Sequence, residues 1–289
     1  MSKQSFRFYK DYQVRAIWNE EQSKWWFSVV DVVSAITESP NPRKYWSVLK
    51  TRLKKGGNEL TTRCSQLKLS AADGKKYATD CFAQDDIIEL VKVIPSKKTS
   101  AFLDWFTYSD NSIDGQSKKK AYSLFESGIL DSMKPGTVEC LKQIHAYLFG
   151  GLYDFAGKIR TKTIWKDGTL FCRAEYLLQN LRMIERMPER SFDEIVDKYV
   201  EMNVAHPFME GNGRSTRIWL DLLFKAQMKK CVDWSLIDKK EYLEAMRKST
   251  TDATTIKTLL KGALTDRIDD REIFMKGIDY SYYYEQEDQ

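Results

Sequence analysis

The sequence predicts an α+β protein in two parts: a small α+β N-terminal domain, then a larger, mainly α-helical domain carrying a β-hairpin. Three observations lead there. Short apolar and aromatic runs of strand length stand near the N-terminus, at YQVRAI (residues 12–17) and WWFSVV (residues 25–30). A polar stretch from Thr107 to Lys120 has almost no apolar residues and marks a boundary. Beyond Ala121 the apolar residues recur at helical spacing. The expected divisions are therefore 1–110 for the first domain, 111–120 for a linker, 121–275 for a helical core and 276–289 for a C-terminal helix.

In the N-terminal part, the polar turn from Asn19 to Ser23 joins the two expected strands. Asp31 reads as the N-cap of a short helix over VVSAIT. From Arg43 to Lys54, Tyr45, Trp46, Val48, Leu49 and Leu53 interleave with basic residues at near-helical spacing. Residues 83–93 (AQDDIIELVKV) form another expected helix, with Asp85 and Asp86 in the first turn, where the helix dipole favours them.

Composition removes several function classes. With 42% hydrophobic and 30% charged residues, the chain is neither a disordered polar chain nor a membrane protein. No apolar run approaches the roughly 20 residues of a bilayer span. The N-terminal MSKQSFRFYKDYQ lacks the apolar stretch of a secretory signal, so a cytoplasmic protein is expected. The five cysteines are odd in number, widely spaced and without a Cys-x-x-Cys pair. Neither a disulfide framework nor a zinc cluster is expected, and a reducing compartment fits. With only His145 and His206 present, any histidine chemistry rests on one of the two.

The net charge of +5 is unevenly placed. Residues 1–110 carry 18 Lys and Arg against 13 Asp and Glu, whereas the remainder carries 28 of each. Between Ser39 and Lys68, the cations Arg43, Lys44, Lys50, Arg52, Lys54, Lys55, Arg63 and Lys68 face a single acid, Glu59. Such a cluster can contact nucleic-acid phosphates, or it can be a solvated basic face; both readings stay open. This part resembles the BRO-type N-terminal domain of phage antirepressor-like proteins, on VRAIW, WFSVVDVVSAI and NPRKYWSVLKTRLK. The resemblance implies DNA as a partner of residues 1–110, against the alternative of an interaction module without DNA affinity.

In the C-terminal part, TVECLKQIHAYLF (residues 137–149) puts Val138, Leu141, Ile144, His145 and Leu148 on one side, so His145 reads as a packed helix histidine. Ser191-Phe-Asp-Glu194 is a capping box opening a helix. That helix should stop near Pro207, because proline disfavours helical backbone in the residue before it. A second helix follows, with Ile218, Trp219, Leu222 and Leu223 on its buried side. Between the two lies His206-Pro-Phe-Met-Glu-Gly-Asn-Gly-Arg-Ser-Thr-Arg217.

The chemistry of that string is legible without a name. Gly211, Asn212 and Gly213 form a turn into a helix N-terminus, where free N–H groups and the dipole favour an anion. Arg214 and Arg217, three residues apart, project from neighbouring positions and can clamp more than one phosphate. Glu210 can hold a Mg²⁺ that bridges those phosphates. His206 is a candidate general base.

The string matches the Fic family signature HPFx[D/E]GNGRxxR at every fixed position, and the resemblance runs from Ala121 to Gln289. It includes IHAYLFGGLYDFAGKIR, similar to the segment before the family's flap. The resemblance implies a Fic core over 121–275 that transfers AMP from ATP to a Ser, Thr or Tyr hydroxyl of a target protein. It implies His206 as base, Phe208 in the core, Glu210 on Mg²⁺ and the Gly211–Gly213 loop as anion hole for the α-phosphate. Arg214 would then contact the phosphates, and Arg217 would orient the γ-phosphate. The Asp-Gly at the centre of residues 163–171 signals a hairpin. By resemblance this is the flap, with Lys166, Asp167, Gly168 and Thr169 holding the target by strand addition.

Near the C-terminus, Asp279 reads as the cap of a short helix, with Ser281 and Glu285 one turn apart on it. Ser281-Tyr-Tyr-Tyr-Glu285 is similar to the Fic inhibitory motif [S/T]xxxE[G/N], with Gln286 departing from the usual Gly or Asn. By resemblance Glu285 pairs with Arg217 and displaces the γ-phosphate, and Tyr282 is a self-modification site. Ser123-Leu-Phe-Glu126 has the wrong spacing for an N-terminal brake. The expected function is thus an autoinhibited protein adenylyltransferase. The alternatives are de-AMPylation at the same site, with Glu285 positioning a water, and a DNA-binding regulator with a vestigial Fic core. Gly213 argues against phosphoryl transfer. The expected partners are a hydroxyl-bearing target protein, DNA as above and a further copy of the chain as an open option, with no membrane.

Overall fold

In the computed structural model, residues 3–19, 21–71, 75–108, 112–166 and 169–286 are described. They fall into two units, one ending at Ser112 and one beginning at Ile113. The first unit runs β1 (Lys3–Tyr9), β2 (Tyr12–Asn19), β3 (Lys24–Ser28), α1 (Val29–Thr37), α2 (Pro42–Lys55), β4 (Ser65–Ser70), β5 (Lys76–Ala83), α3 (Gln84–Val93) and α4 (Thr99–Tyr108). Its strands form one antiparallel sheet in the order β1-β2-β3-β5-β4. Alternation along the strands gives each face its own side chains. Ala16 and Phe27, paired in register, join the main core with Val32, Leu49, Phe82, Leu90 and Phe102. Ile17 and Trp26, one step along, belong to a smaller cluster with Leu69 and Cys81.

Several local expectations change here. β1, β4 and β5 were not expected, because their alternation of apolar and polar residues is short and broken by charges. Strand β3 ends at Ser28, and Val29 and Val30 already belong to α1. Asp31 is therefore not the N-cap. Ser28 is, its hydroxyl accepting from the Asp31 N–H. The Asp31 carboxylate instead takes a forked pair of bonds from Arg15, 2.7 Å from Nε and 2.8 Å from Nη2.

The second unit runs α5 (Ile113–Ser127), α6 (Val138–Phe149), β6 (Trp165–Lys166), β7 (Thr169–Leu170), α7 (Ala174–Glu185), α8 (Phe192–Ala205), α9 (Asn212–Met228), β8 (Cys231–Val232), α10 (Lys239–Lys248), α11 (Thr254–Gly262), β9 (Leu264–Thr265) and α12 (Arg271–Tyr284). Its core is built on α6, α8 and α9, through Leu141, Ile144, Leu148, Ile195, Tyr199, Met202, Trp219 and Leu223. The α+β class with a mainly helical second part is as expected.

Two boundaries differ from expectation. Residues 113–120, read as linker, are the first turns of α5. Ser117, Ala121 and Leu124 are its buried positions, and Ser117 meets α12 by a hydrogen bond, so no apolar stripe announces it. Helix α12 starts at Arg271, capped by Asp270, and not near residue 276. Asp279 is consequently mid-helix and fully buried, paired with Lys118 Nζ at 2.7 Å. Its charge serves a buried ion pair rather than a helix end.

Candidate active site

The site is assembled where α8 stops and α9 starts. The capping box at Ser191 fixes the start of α8, with both reciprocal bonds present. At the other end His206 adopts left-handed backbone, φ 48°, and its N–H closes the helix on Met202. Arg160, 4% exposed, holds that turn. Its Nε donates to the His206 carbonyl at 2.7 Å, and its other nitrogens donate to the carbonyls of Lys162, Cys172 and Ala205. A buried guanidinium surrounded by carbonyls fixes four backbone positions through one side chain.

The His206 ring stacks on Phe171, centroids 3.8 Å apart. Its Nδ1 lies 3.3 Å from the Asn203 carbonyl. A carbonyl only accepts, so Nδ1 carries the proton in that bond, and in the neutral ring Nε2 is then the basic nitrogen. This is the tautomer a general base requires.

Gly211 caps α9 at φ 79°, and a Cβ there would run into the Phe149 ring. Asn212 turns its side chain inward, Oδ1 accepting from the Phe208 N–H and Nδ2 donating to the Phe208 carbonyl, both at 2.8 Å. Asn212 therefore clamps the loop and has only its backbone to offer an anion. Phe208 is fully buried, as expected, and stacks on His145 at 3.8 Å.

His145 does more than pack. Gly157 N–H donates to its Nδ1 at 2.9 Å, so its proton sits on Nε2, which donates to the Glu210 carbonyl at 2.9 Å. Burial lowers its pKa from 6.5 to about 4. The neutral ring thus ties α6 to the backbone of Glu210. Its place on an apolar stripe concealed this role, and only IHAYLFGGLYDFAGKIR, which holds both His145 and Arg160, carried any signal for the pair.

The two motif arginines are both buried. Arg214 lies between the rings of Phe149 and Tyr282, 5.0 and 5.4 Å from their centroids. Its Nη2 donates to Glu210 Oε1 at 3.1 Å and its Nη1 pairs with Asp114. Arg217 donates from Nε to Ser281 Oγ at 2.8 Å, and from Nη2 to the Ser281 carbonyl at 2.8 Å and Glu285 Oε1 at 2.5 Å. A Cβ on Gly213 would collide with the Glu285 carboxylate and crowd the Arg217 guanidinium. The structure thus brings Gly213, Arg217, Ser281 and Glu285 together.

Other expected site residues fare differently. Tyr282 is 6% exposed, its hydroxyl bonded to Ser117 Oγ at 2.7 Å, and burial raises its pKa. In this arrangement it cannot be modified unless α12 moves. Lys166 and Thr169 pair across the short β6–β7 hairpin, while Asp167 and Gly168 lie outside the described residues. In the first unit, among the described residues, acids partner Lys50 (Asp80 at 2.7 Å) and Arg63 (Asp86 and Glu89) of the basic cluster. Arg43, Lys44, Arg52, Lys54 and Lys55 remain exposed on α2.

The metal question reduces to Glu210. Its carboxylate accepts from the Gly211 N–H at 3.0 Å and stands beside Arg214. One partly exposed carboxylate next to an anion loop fits Mg²⁺, which commonly binds through one or two carboxylates together with substrate phosphates.

Comparison with known proteins finds relatives of part of the chain. Protein adenylyltransferase VbhT of Bartonella schoenbuchensis is 30% identical over 132 residues, 42% of this chain. This chain spans only 27% of that relative's length. Probable protein adenylyltransferase y4lH of Sinorhizobium fredii is 26% identical over 147 residues, 44% of this chain and 72% of the relative. Among solved structures, the BepC protein of Bartonella tribocorum with bound AMPPNP aligns at 20% identity and a TM-score of 0.43, over 53% of this chain and 84% of that one. The stretch that holds His145, Arg160 and the whole loop from His206 to Arg217, residues 135–224, matches the Fic/DOC family.

Proposed function

We propose that the chain is an autoinhibited protein adenylyltransferase, moving AMP from ATP to a hydroxyl side chain of a target protein. The observation that carries this reading is the pairing of Glu285 with Arg217 at 2.5 Å, beside a glycine loop preceded by a histidine whose Nδ1 lies 3.3 Å from a backbone carbonyl. The names of the relatives support the reaction class.

In the proposed reaction, His206 Nε2 takes the proton of a Ser, Thr or Tyr hydroxyl. The hydroxyl oxygen forms a bond to the α-phosphorus as the bond to the β-phosphate oxygen breaks, and pyrophosphate leaves. The backbone N–H groups at the start of α9 face the charge that develops on the α-phosphate. Arg214 and Arg217 hold the remaining phosphates. Glu210 would hold Mg²⁺, which when bound supplies positive charge to the phosphates. Glu285 keeps Arg217 from the γ-phosphate, and Ser281 adds two contacts to the same guanidinium. The β6–β7 hairpin, with Lys166, Asp167, Gly168 and Thr169, would seat the target segment.

The test uses ATP labelled at the α- or γ-phosphate with wild type, His206→Ala and Glu285→Gly. Label should reach protein from the α-position only, increase in Glu285→Gly and fall about 10²–10⁴-fold in His206→Ala. Transfer of γ-label alone would overturn the reading. Separately, we propose that residues 1–110 contact DNA through the exposed basic face of α2.

A further inference from the structure

Arg214 is engaged by a residue from outside the loop and outside α12. Its Nη1 pairs with the carboxylate of Asp114, in the first turn of α5. Its Nη2 is taken by Glu210, and its Nε is buried without a hydrogen-bond partner among the described residues. A guanidinium that is 4% exposed needs acceptors, and its unmet N–H points to an anion larger than one carboxylate. Asp114 itself is 59% exposed, so it can swing into solvent with little loss.

Asp114 also belongs to a longer seam. Along α5, Ser117 bonds Tyr282, Lys118 and Tyr122 bond Asp279, Phe125 packs on Phe274 at 5.1 Å, and Glu126 pairs with Arg271 at 2.7 Å. Every one of those partners lies on α12, the helix that places Glu285 on Arg217. Helices α5 and α12 therefore present two carboxylates to two adjacent arginines as one packed pair.

We propose that Asp114 is a residue of the nucleotide site, holding Arg214 where a phosphate of a nucleoside di- or triphosphate binds. An incoming nucleotide then displaces two carboxylates, Asp114 from Arg214 and Glu285 from Arg217. This rests on the adenylyltransferase reading in taking the ligand to be a nucleotide and Arg217 to meet its γ-phosphate. Because Arg217 is assigned to the γ-phosphate, Glu285 opposes ATP, whereas Asp114 opposes ATP and ADP alike.

The experiment is calorimetric titration of the full chain with Mg-ATP and Mg-ADP. The proteins compared are wild type, Asp114→Asn, Asp114→Ser, Glu285→Gly and Glu139→Gln, the last removing an exposed acid on α6 to control for net charge. Both Asp114 variants should bind ADP and ATP about fivefold more tightly than wild type, the scale of a partly exposed ion pair. Glu285→Gly should tighten ATP alone, and Glu139→Gln neither. Thermal melting identifies any misfolded variant, and agreement of the Asn and Ser variants guards against a local artefact. If Glu285→Gly tightens ATP while both Asp114 variants match or fall below wild type, the Asp114 proposal fails and the reading of the site survives. If no protein binds either nucleotide, both fail together.

Discussion

His145 illustrates what a single ring can do when both its nitrogens are committed. Nδ1 accepts from Gly157 and Nε2 donates to Glu210, so a second proton would set two donors against each other. The pKa falls from 6.5 to about 4, chiefly through burial. The unfolded chain therefore binds a proton below pH 6.5 that the folded chain refuses. The stability it contributes is complete above pH 6.5 and is lost as pH falls toward 4, a change of about 3 kcal/mol. Urea denaturation of wild type against His145→Phe should show this extra acid sensitivity in the wild type only; equal pH slopes would disprove it. The sequence showed the ring on an apolar helix face and nothing more, because its partners are backbone groups 12 and 65 residues away. Arg160 was hidden for the same reason, since carbonyls leave no trace in side-chain patterns. The residues from His206 to Arg217 were legible because their spacing itself builds the turn, the helix start and the two arginines.

Among the elements, α8 and α9 were readable from capping chemistry and apolar period, whereas the starts of α5 and α12 were not. Helix α5 buries Ser117, Ala121 and Leu124, two of them small, and apart from Phe125 on Phe274 the contacts named between it and α12 are polar. Polarity of that kind looks like linker until the partner is known. The same chemistry makes the seam sensitive. Asp279 is fully buried, with Lys118 as its cation. Asp279→Ala removes one member of that pair and should destabilise the second unit by about 3–5 kcal/mol. It should also loosen α12, so that limited proteolysis cuts near the C-terminus earlier than in wild type. Unchanged denaturation and unchanged cutting would show that the pair carries no such weight.

For the whole molecule, charge and structure divide at the same place. The first unit has its own core, from Val14 and Phe27 to Phe102 and Phe106, and holds the positive excess. Residues 1–112 made alone should unfold in one cooperative transition, whereas a broad, featureless melt would contradict an independent core. The same fragment should retard DNA in gels at low salt and release it as salt rises; no retardation at any salt would remove the DNA proposal. The α+β class was legible because strand-length runs and helical periods are local signals. The sheet order was not, since β5 inserts beside β3 through pairing that no local pattern encodes. The position of α5 carries a practical consequence for anyone isolating the second unit. A fragment begun at Ala121, where the helical pattern becomes obvious, discards Asp114, Ser117 and Lys118. Asp279 would lose its cation and the Tyr282 hydroxyl its partner. Such a fragment would measure the effect of the cut, and starting eight residues earlier, at Ile113, keeps the whole of α5 and its bonds to α12.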